Sequence, residues 1–331
     1  MIKWQASASL PQIQLRAAVL KQIRTFFAQQ GVLEVDTPCL SVSTTPDPFI
    51  ESFHSRYTPL TQVTANENYY LHTSPEFPMK RLLASGSGSI YQVCKVFRQG
   101  EIGRKHNPEF TLLEWYREGW DHHQLMQEVG QLLADLIAPY RHLSGVSLLT
   151  YKAAFQQKLG INPHTASQAE LIACTQKVGL DKVLDADEHR DRYLELLFSH
   201  VIEPELGIDN GMTSICLLYD YPASQASLAR IKRHDGDLIA ERFEVFIEGM
   251  ELGNGFHELN DAKEQRRRFI TDNQMRQARG MDEVPLDENF LAAVGHLPDC
   301  AGVAIGLERL LMVISQAQHI NNVINFPFQR A

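Results

Sequence analysis

The sequence has few cysteines, and none of them has the spacing of a metal ligand. The five thiols are odd in number and scattered, and they include no Cys-x-x-Cys pair. Such a set indicates neither a disulfide framework nor a zinc site. We therefore expect reduced and mostly buried side chains at Cys39, Cys94, Cys174, Cys216 and Cys300.

Long apolar runs are also absent. No stretch reaches the roughly 18 apolar residues of a membrane-spanning helix. The N-terminal segment carries Lys3, Arg16, Lys21 and Arg24 and has no long apolar core. The sequence thus predicts neither a membrane span nor a signal peptide. We expect a cytoplasmic protein without a membrane partner.

The chain lacks an excess of basic charge. Lysine and arginine number 31 against 40 aspartates and glutamates, which gives a net charge of −9. Proteins that hold nucleic acid through phosphate contacts need a basic surface, so this balance argues mildly against such a partner. A local basic patch stays possible, although we interpret the run Arg266–Arg268 as the solvated face of a helix.

What is present suffices for a substantial core, since 44% of the 331 residues are hydrophobic. Apolar periodicity predicts helices over residues 13–30, 77–84, 121–137, 261–279 and 307–316. Strands are predicted over residues 32–35, 213–218 and 242–251. We expect one domain over residues 1–331, with a mostly helical insertion at about 140–211.

The most informative stretch covers residues 96–117. Two apolar runs flank a polar loop from Gln99 to Pro108, which predicts a strand, a loop and a strand. The second run, Phe110 to Tyr116, is broken only by Thr111 and Glu114. The loop region carries cations and rings that suit phosphates and a nucleotide base: Arg98, Arg104, Lys105, His106 and Phe110. An ordinary hairpin with a charged, solvated loop is an equal alternative.

A second informative stretch covers residues 249–260. Three glycines stand among two carboxylates, Glu251 and Glu258. Glycine lets backbone approach a ligand closely, and the carboxylates could hold a metal ion or an ammonium group. The alternative is a glycine-rich turn with surface acids. The other glycine-rich segment, residues 86–89, lacks the phosphate-loop pattern and is interpreted as a turn.

Several of these segments resemble one family. Phe97-Arg98 followed by His106-Asn-Pro-Glu-Phe-Thr111 closely resembles motif 2 of the class II aminoacyl-tRNA synthetases, in the lysyl, aspartyl and asparaginyl branch. The helix, Gly31, strand and Pro38 resemble motif 1, and residues 302–309 resemble motif 3. The resemblance implies an α+β fold, with an antiparallel β-sheet flanked by helices, and a homodimer built through motif 1.

The resemblance also implies ATP and Mg²⁺. In this family a carboxylate attacks the α-phosphate of ATP to form an acyl-adenylate. It implies two catalytic arginines, Arg98 and Arg309, and a Mg²⁺ ligand, Glu251. The positions that match the family's ATP site are Arg98, Gln99, Gly100, Glu101, Asn107, Phe110, Glu251, Leu252, Gly306 and Arg309.

An amino-acid pocket is implied as well. Residues 71–76 resemble the segment that enters this pocket, although Glu76 could instead cap the helix that follows. Residues 249–260 resemble the lysyl-tRNA synthetase signature. The positions that match this pocket are Ser74, Pro75, Glu76, Tyr116, Asn254, Glu258 and Ala304. A lysine-like substrate with two amino groups is implied.

Three departures narrow the resemblance. Gly100 stands where the family usually has glutamate, so either Glu101 takes that role or adenine recognition differs. Ala304 stands where lysyl-tRNA synthetases usually have glycine, which reshapes the pocket. Motif 1 begins by about residue 20, so we expect no N-terminal anticodon-binding barrel.

These departures make the chain most similar to truncated paralogues of lysyl-tRNA synthetase, the elongation factor P β-lysine ligases. That similarity implies elongation factor P as the partner, lysine or (R)-β-lysine as the substrate, and no tRNA. Two alternatives stay open. One is a minimal lysyl-tRNA synthetase core that acts on tRNA, and the other is a non-catalytic regulatory paralogue.

Overall fold

The computed structural model describes residues 4–57, 67–184 and 188–331. The chain divides into two compact units, the first formed by residues 1–120 with 259–331 and the second by residues 121–258. Each unit is described by itself, and the single domain stays a prediction. Within the described ranges, no helix is both long enough and apolar enough to cross a lipid bilayer.

The regular elements follow one another in chain order. The helices are α1 Leu10–Gln29, α2 Glu76–Ala84, α3 His122–Ile137, α4 Tyr151–Leu159, α5 Gln168–Lys177, α6 Arg190–Leu197, α7 Ala262–Ala278, α8 Glu288–Val294 and α9 Leu307–Ser315. The strands are β1 Leu33–Glu34, β2 Leu40–Ser41, β3 His54–Tyr57, β4 Glu67–Leu71, β5 Ile90–Phe97, β6 Glu109–Glu118, β7 Val146–Thr150, β8 Ile208–Asp209, β9 Met212–Thr213, β10 Ile215–Pro222, β11 Ile231–His234, β12 Asp237–Ile247, β13 Met250–His257 and β14 Cys300–Gly306.

The first unit is built on the strands β5, β6 and β14. The predicted hairpin is present, because β5 and β6 pair antiparallel up to Phe97 opposite Glu109. Strand β14 pairs antiparallel with the other side of β6, and the short β1 adds a parallel edge to β5. A separate small sheet has the order β2-β4-β3.

Helix α1 packs on this sheet through its apolar stripe. Val19, Ile23 and Phe27 are buried, and the Phe27 ring stacks on Tyr91 of β5 with centroids 4.4 Å apart. The helix ends where predicted, since Gly31 has φ +67°, a conformation that glycine adopts without steric cost. It begins at Leu10, three residues before the predicted start.

Helices α2, α7 and α8 form an aromatic cluster. The Phe77 ring stacks on Phe290 at 4.1 Å, and Phe269 lies 5.9 Å from the same ring. Helix α7 was expected, and its N-cap is Asp261, which accepts hydrogen bonds from the backbone of residues 263 and 264. Helix α8 was not predicted, because its seven residues span only two turns.

Residues 266–268 were predicted to form the solvated face of a helix; Arg266 and Arg267 have exposed side chains on α7, whereas the Arg268 side chain is only 12% exposed. On α7, Arg266 pairs with Glu288. Arg267 and Arg268 both bond to Glu264, at 2.7 and 2.8 Å. All three guanidinium groups therefore have carboxylate partners on the surface of the same unit.

The second unit is built on the strands β13, β12, β10 and β7. Strand β12 pairs antiparallel with β13 and β10, and β11 adds to β12. The β12–β13 hairpin turns through Glu248 and Gly249, which have φ +53° and +63°. A Cβ at Gly249 would lie 2.8 Å from the Pro204 carbonyl oxygen, so this position requires glycine.

The region 140–211 contains the helices α4, α5 and α6, and its place as an insertion stays a prediction. It also contains the two-residue β8 and the strand β7, which pairs parallel with β10. The β7 side chains are exposed or half-buried, so neither an alternating pattern nor an apolar run signals this strand. Antiparallel pairing predominates in each unit, which confirms the α+β class.

The cysteines are as expected. Cys174, Cys216 and Cys300 are buried, Cys94 is half-buried and Cys39 is exposed, and all five are free thiols. Burial raises the pKa of the Cys94 thiol strongly, and the Glu114 charge adds to that shift. The Cys94 thiol is therefore a poor nucleophile.

Candidate active site

Arg98 lies at the start of the loop that joins β5 and β6. Its Nε donates to the Thr73 carbonyl oxygen at 3.3 Å, and its guanidinium lies over the Phe110 ring at 5.1 Å. Its backbone N–H donates to the Pro108 carbonyl at 2.9 Å, which closes the base of the loop. The hairpin thus brings together two residues that the sequence assigned to one nucleotide site.

Gly100 and Glu101 are the residues at which motif 2 departs from the family pattern, and which of the two alternatives holds stays a prediction. Gly100 has φ +82°, a left-handed conformation in which a side chain is strained. The backbone then turns so that the Glu101 carboxylate lies 3.5 Å from Arg98. Just before the turn, the Gln99 N–H donates to the Glu51 carbonyl at 2.8 Å. The glutamate that faces Arg98 is therefore Glu101.

Arg309 reaches the same loop from α9. Its terminal nitrogen donates to His106 Nε2 at 2.6 Å, and its Nε donates to the Lys105 carbonyl at 3.4 Å. The loop borders a cavity of about 290 Å³ whose lining includes Arg104, His106 and His319. A guanidinium and imidazoles beside an open space suit a phosphate group.

Asn107 is buried and bonds to backbone at both ends of its amide. Its Nδ2 donates to the Glu109 carbonyl at 2.6 Å, and its Oδ1 accepts from the Phe328 N–H at 3.0 Å. These bonds fix the C-terminal segment against the loop. Contact between Asn107 and a nucleotide stays a prediction.

A buried carboxylate anchors the start of α9. Glu308 accepts from Arg16 of α1 at 2.9 Å and from the Thr111 backbone N–H of β6 at 2.8 Å. The Thr111 hydroxyl also donates to it, at 2.9 Å. Because Glu308 directly precedes Arg309, these bonds set the direction from which Arg309 approaches the loop. Gly306 is the N-cap residue of the same helix.

Glu114 contacts two residues predicted for the amino-acid pocket, although its role was not evident from the sequence. It lies on β6 and is only 2% exposed. Its two carboxylate oxygens accept from the Ser74 hydroxyl at 2.8 Å and from the Tyr116 hydroxyl at 2.6 Å. The available signal was a glutamate inside an otherwise apolar strand, because a buried charge needs partners.

Ala304 lies on the same face as Glu114. The two are Cα partners in the β14–β6 register, and Gln92 is the partner of Glu114 on β5. Directly opposite residues of an antiparallel pair point to the same side of the sheet. The methyl group of Ala304 therefore borders the carboxylate that holds Ser74 and Tyr116.

Glu76 holds an ammonium group in this structure, that of Lys80. Its carboxylate lies 2.5 Å from the buried Lys80 Nζ. Pro75 is the N-cap residue of α2, and the cap shows no side-chain hydrogen bond within the described chain. The alternative that Glu76 serves as the helix cap is therefore not supported.

In the second unit, β13 carries the remaining predicted residues. Glu251 and Asn254 are half-buried, whereas Leu252 is buried, so only the backbone of Leu252 can meet a ligand. Glu258 follows the strand and is buried. Arg230 Nε donates to its carbonyl at 2.8 Å and fixes the backbone there.

Glu244 is a second residue that the sequence analysis did not select. It lies on β12 as the register partner of Asn254 and pairs with Arg242 at 2.5 Å. Burial raises the pKa of Glu244, the Arg242 charge lowers it, and the Glu251 charge raises it again. Two carboxylates that repel each other offer oxygen ligands, which Mg²⁺ prefers. The signal was a glutamate seven residues before Glu251.

Comparison with known protein families gives a match over nearly the whole chain. Residues 1–330 match the family described as tRNA synthetases class II (D, K and N). The chain belongs to this family.

Among its relatives is the Elongation factor P–(R)-beta-lysine ligase of Enterobacter sp. (strain 638). The two are 46% identical over 329 residues, which are 99% of this chain and 98% of the relative. The proteins of that name from Salmonella paratyphi B and Salmonella schwarzengrund match with the same identity and coverage.

Proposed function

We propose that this protein activates (R)-β-lysine, or lysine, with ATP and transfers it to a lysine side chain of elongation factor P. The observation that carries the proposal is the 46% identity to ligases of that name over 98% of their length. The pairing of Ala304 with Glu114 supports it, because the β14 position that is usually glycine in lysyl-tRNA synthetases bears a methyl group beside a buried carboxylate.

The first step forms an acyl-adenylate. The substrate carboxylate attacks the α-phosphorus of ATP, a new C–O–P linkage forms, and the bond to pyrophosphate breaks. Arg98 binds the oxygens of the α-phosphate and the substrate carboxylate, since a planar guanidinium offers parallel donors. Arg309 binds the far end of the triphosphate. Both neutralise charge that develops in the transition state.

The nucleotide is held by the hairpin loop. Phe110 stacks on adenine in place of the Arg98 guanidinium that lies over it in the free protein. Glu101 takes the role of the glutamate missing at Gly100. The backbone of Gln99 and Gly100 lies along the adenine base. Asn107 lines the nucleotide, and Gly306 leaves room for it at the start of α9.

The cation is Mg²⁺. Glu251 and Glu244 would hold it with help from the Leu252 backbone, since both carboxylates are hard oxygen donors and the Glu251 charge raises the pKa of Glu244. When bound, Mg²⁺ neutralises phosphate oxygens of ATP.

The substrate's amino groups need carboxylate partners, because an unpaired buried charge is costly. Glu114 joins Glu76 and Glu258 as candidates for this role. Ser74 and Tyr116 orient Glu114, Pro75 shapes the segment that enters the pocket, and Asn254 offers an amide. A free amine of the substrate then competes with Lys80 for Glu76.

In the second step the acceptor lysine amine attacks the acyl carbonyl. An amide bond forms, the bond to AMP breaks, and the amine loses a proton to solvent. Elongation factor P takes this role by analogy with the relatives' names.

We further propose that the protein works as a homodimer in the cytoplasm. Large apolar side chains are exposed in and just beside the segment that resembles motif 1, namely Leu10, Leu33, Leu40, Val42 and Phe49. A contiguous exposed apolar patch is typical of an interface, and these side chains would contribute to one. Sedimentation of the purified protein tests this, with Leu33→Asp expected to shift a dimer to a monomer.

The decisive experiment offers labelled α- or β-lysine with ATP and Mg²⁺ to elongation factor P and to lysine tRNA in parallel. We expect label on elongation factor P, and more of it with β-lysine. Label on the tRNA would instead identify a minimal synthetase. Failure of ATP–pyrophosphate exchange with either amino acid would identify a non-catalytic paralogue.

A further inference from the structure

Three buried side chains of the second unit bring their donor atoms together although the proposed reaction does not use them. His122 begins α3, Glu241 lies on β12 and His257 ends β13. One donor atom of each lies within 4.8 Å of the other two. We propose that these residues bind a divalent transition-metal ion of the Zn²⁺ type.

His122 supplies the strongest argument. Its side chain is fully buried, and its Nδ1 finds no hydrogen-bond partner among the residues that the structure describes. A buried polar atom is normally satisfied, and one without a partner calls for an explanation such as an ion. A metal ion at Nδ1 satisfies that atom.

Asp220 orients the ring from its other side. Its Oδ1 lies 3.4 Å from His122 Nε2. A carboxylate on the second ring nitrogen is the usual arrangement around a metal-binding histidine, because it fixes the tautomer and raises the basicity of the ligand. In His122 the contact with Asp220 places the ring proton on Nε2 and leaves the lone pair on Nδ1.

The backbone around Asp220 is shaped for this contact. Asp220 has φ +60°, and the register of β10 with β12 shifts between Tyr219 and Tyr221. Bulges of this kind re-aim a side chain and recur at functional sites. A strained aspartate that points at a buried histidine is consistent with a built site.

Glu241 and His257 complete the set. His257 Nδ1 and Glu241 Oε2 are 2.7 Å apart, and the ion takes the place of the proton that they share, so binding releases a proton. The other oxygen, Oε1, is held by Lys232 at 2.5 Å. Lys232 therefore fixes the carboxylate while Oε2 faces the imidazole.

The donor set defines the class of ion. Two imidazole nitrogens and one carboxylate oxygen suit Zn²⁺ or Co²⁺, whereas Mg²⁺ prefers oxygen ligands alone. The ion links the beginning of α3 to the middle of β12 and the end of β13. Because His257 directly precedes Glu258, it also fixes the backbone that carries a proposed substrate carboxylate. This is a structural role, separate from Mg²⁺ on ATP.

The test uses the full chain, stripped with a chelator and titrated with Zn²⁺ alone and Co²⁺ alone. We expect one ion per chain, visible absorption from bound Co²⁺, and a higher melting temperature with Zn²⁺ that a chelator reverses. His122→Ala should weaken binding by at least about tenfold and Asp220→Asn by less. His142→Ala, which removes an exposed histidine of the same unit, should bind like the wild type.

Two results would overturn the proposal. One is the absence of saturable binding by the wild-type protein, a measurement that needs no variant to fold. The other is binding of equal affinity in His122→Ala, His257→Gln and the wild type, which would assign the ion to surface histidines. Circular dichroism identifies any variant that fails to fold, and the imidazole nitrogen shifts of wild-type His122 on adding Zn²⁺ then decide the question.

Discussion

Ala304 of β14 lies directly opposite Glu114 of β6, and both side chains point to the same face of the sheet. The methyl group therefore occupies space beside the carboxylate that binds the Ser74 and Tyr116 hydroxyls. Ala304, which departs from the lysyl-tRNA synthetase pattern, thus lies beside Glu114, the carboxylate that we expect to recognise an amino group.

Ala304→Gly should open this space and relax selectivity toward α-lysine. A single methyl group in a pocket changes discrimination by about tenfold or more, so the ratio of kcat/KM for β-lysine over α-lysine should fall by that factor. Ala301→Gly is the matched control, because Ala301 is on the same strand but on the opposite face. An unchanged ratio in Ala304→Gly would show that this methyl does not shape selectivity.

Glu114→Gln should impair recognition of the amino acid and leave ATP recognition nearly intact. Glutamine keeps the shape but removes the charge, so the KM for lysine should rise by about 100-fold, in line with the strength of hydrogen bonds to charged groups. Steady-state exchange kinetics measure both KM values. Glu109→Gln, on the same strand but paired with Lys95 at the surface, should leave both unchanged.

Arg98→Ala should abolish ATP–pyrophosphate exchange and preserve the fold. Loss of one group that stabilises transition-state charge costs about 10²- to 10³-fold. Arg98→Lys should recover little, because an ammonium cannot bridge two anions as a planar fork does. Arg56→Ala, an exposed arginine of the same unit, should behave like the wild type. Full exchange activity in Arg98→Ala would refute the assignment.

Gly100 and Glu101 should not be interchangeable. Gly100→Glu places a side chain at φ +82° and should lower exchange through strain of about 1–2 kcal/mol in the loop. Glu101→Gln should raise the KM for ATP, and adding Gly100→Glu should not restore it. Gly103→Ala is the control, since Gly103 has open space in the described chain and no left-handed backbone. Rescue by the double variant would place the family's glutamate role at position 100.

Asp272 should make stability depend on pH. Burial raises its pKa to about 7, Asp47 adds to the shift and Arg268 opposes it. The folded protein thus holds a proton that the unfolded chain loses near pH 4, so the free energy of unfolding falls as pH rises from about 4 to about 7.

Asp272→Asn should remove this fall in the free energy of unfolding with rising pH. At pH 8 the variant should be about 1–2 kcal/mol more stable in urea than the wild type, a figure reduced for partial exposure. At about pH 3.5, below the ordinary pKa of an aspartate, the two should be nearly equal. Asp181→Asn, at an exposed position, should match the wild type at both pH values. Equal free energies of unfolding at pH 8 would mean that ionisation of Asp272 does not destabilise the folded protein.

The sequence predicted the elements whose signals are local. The hairpin, α1, α3, α7 and α9 have amphipathic periods or clear ends, and each is found within a few residues of its prediction. Strand β7 was not predicted because its side chains are exposed or half-buried. Helix α8 was not predicted because it is short. The roles of Glu114 and Glu244 were not predicted for a different reason. Those roles depend on which strands pair, and strand pairing joins residues that are far apart in the sequence.

The position of Glu308 between α1 and Arg309 has a consequence for regulation. Arg16, Thr111 and Glu308 form one hydrogen-bonded network around a buried carboxylate, so a displacement of α1 must either break an ion pair or carry the first turn of α9 with it. Because α1 also lies next to the exposed apolar residues of the motif 1 region, docking of a second chain there would bear on the geometry of the triphosphate site. The protein would then become catalytically competent only when two chains assemble. Dilution would therefore abolish its activity by separating the chains, before either chain unfolds.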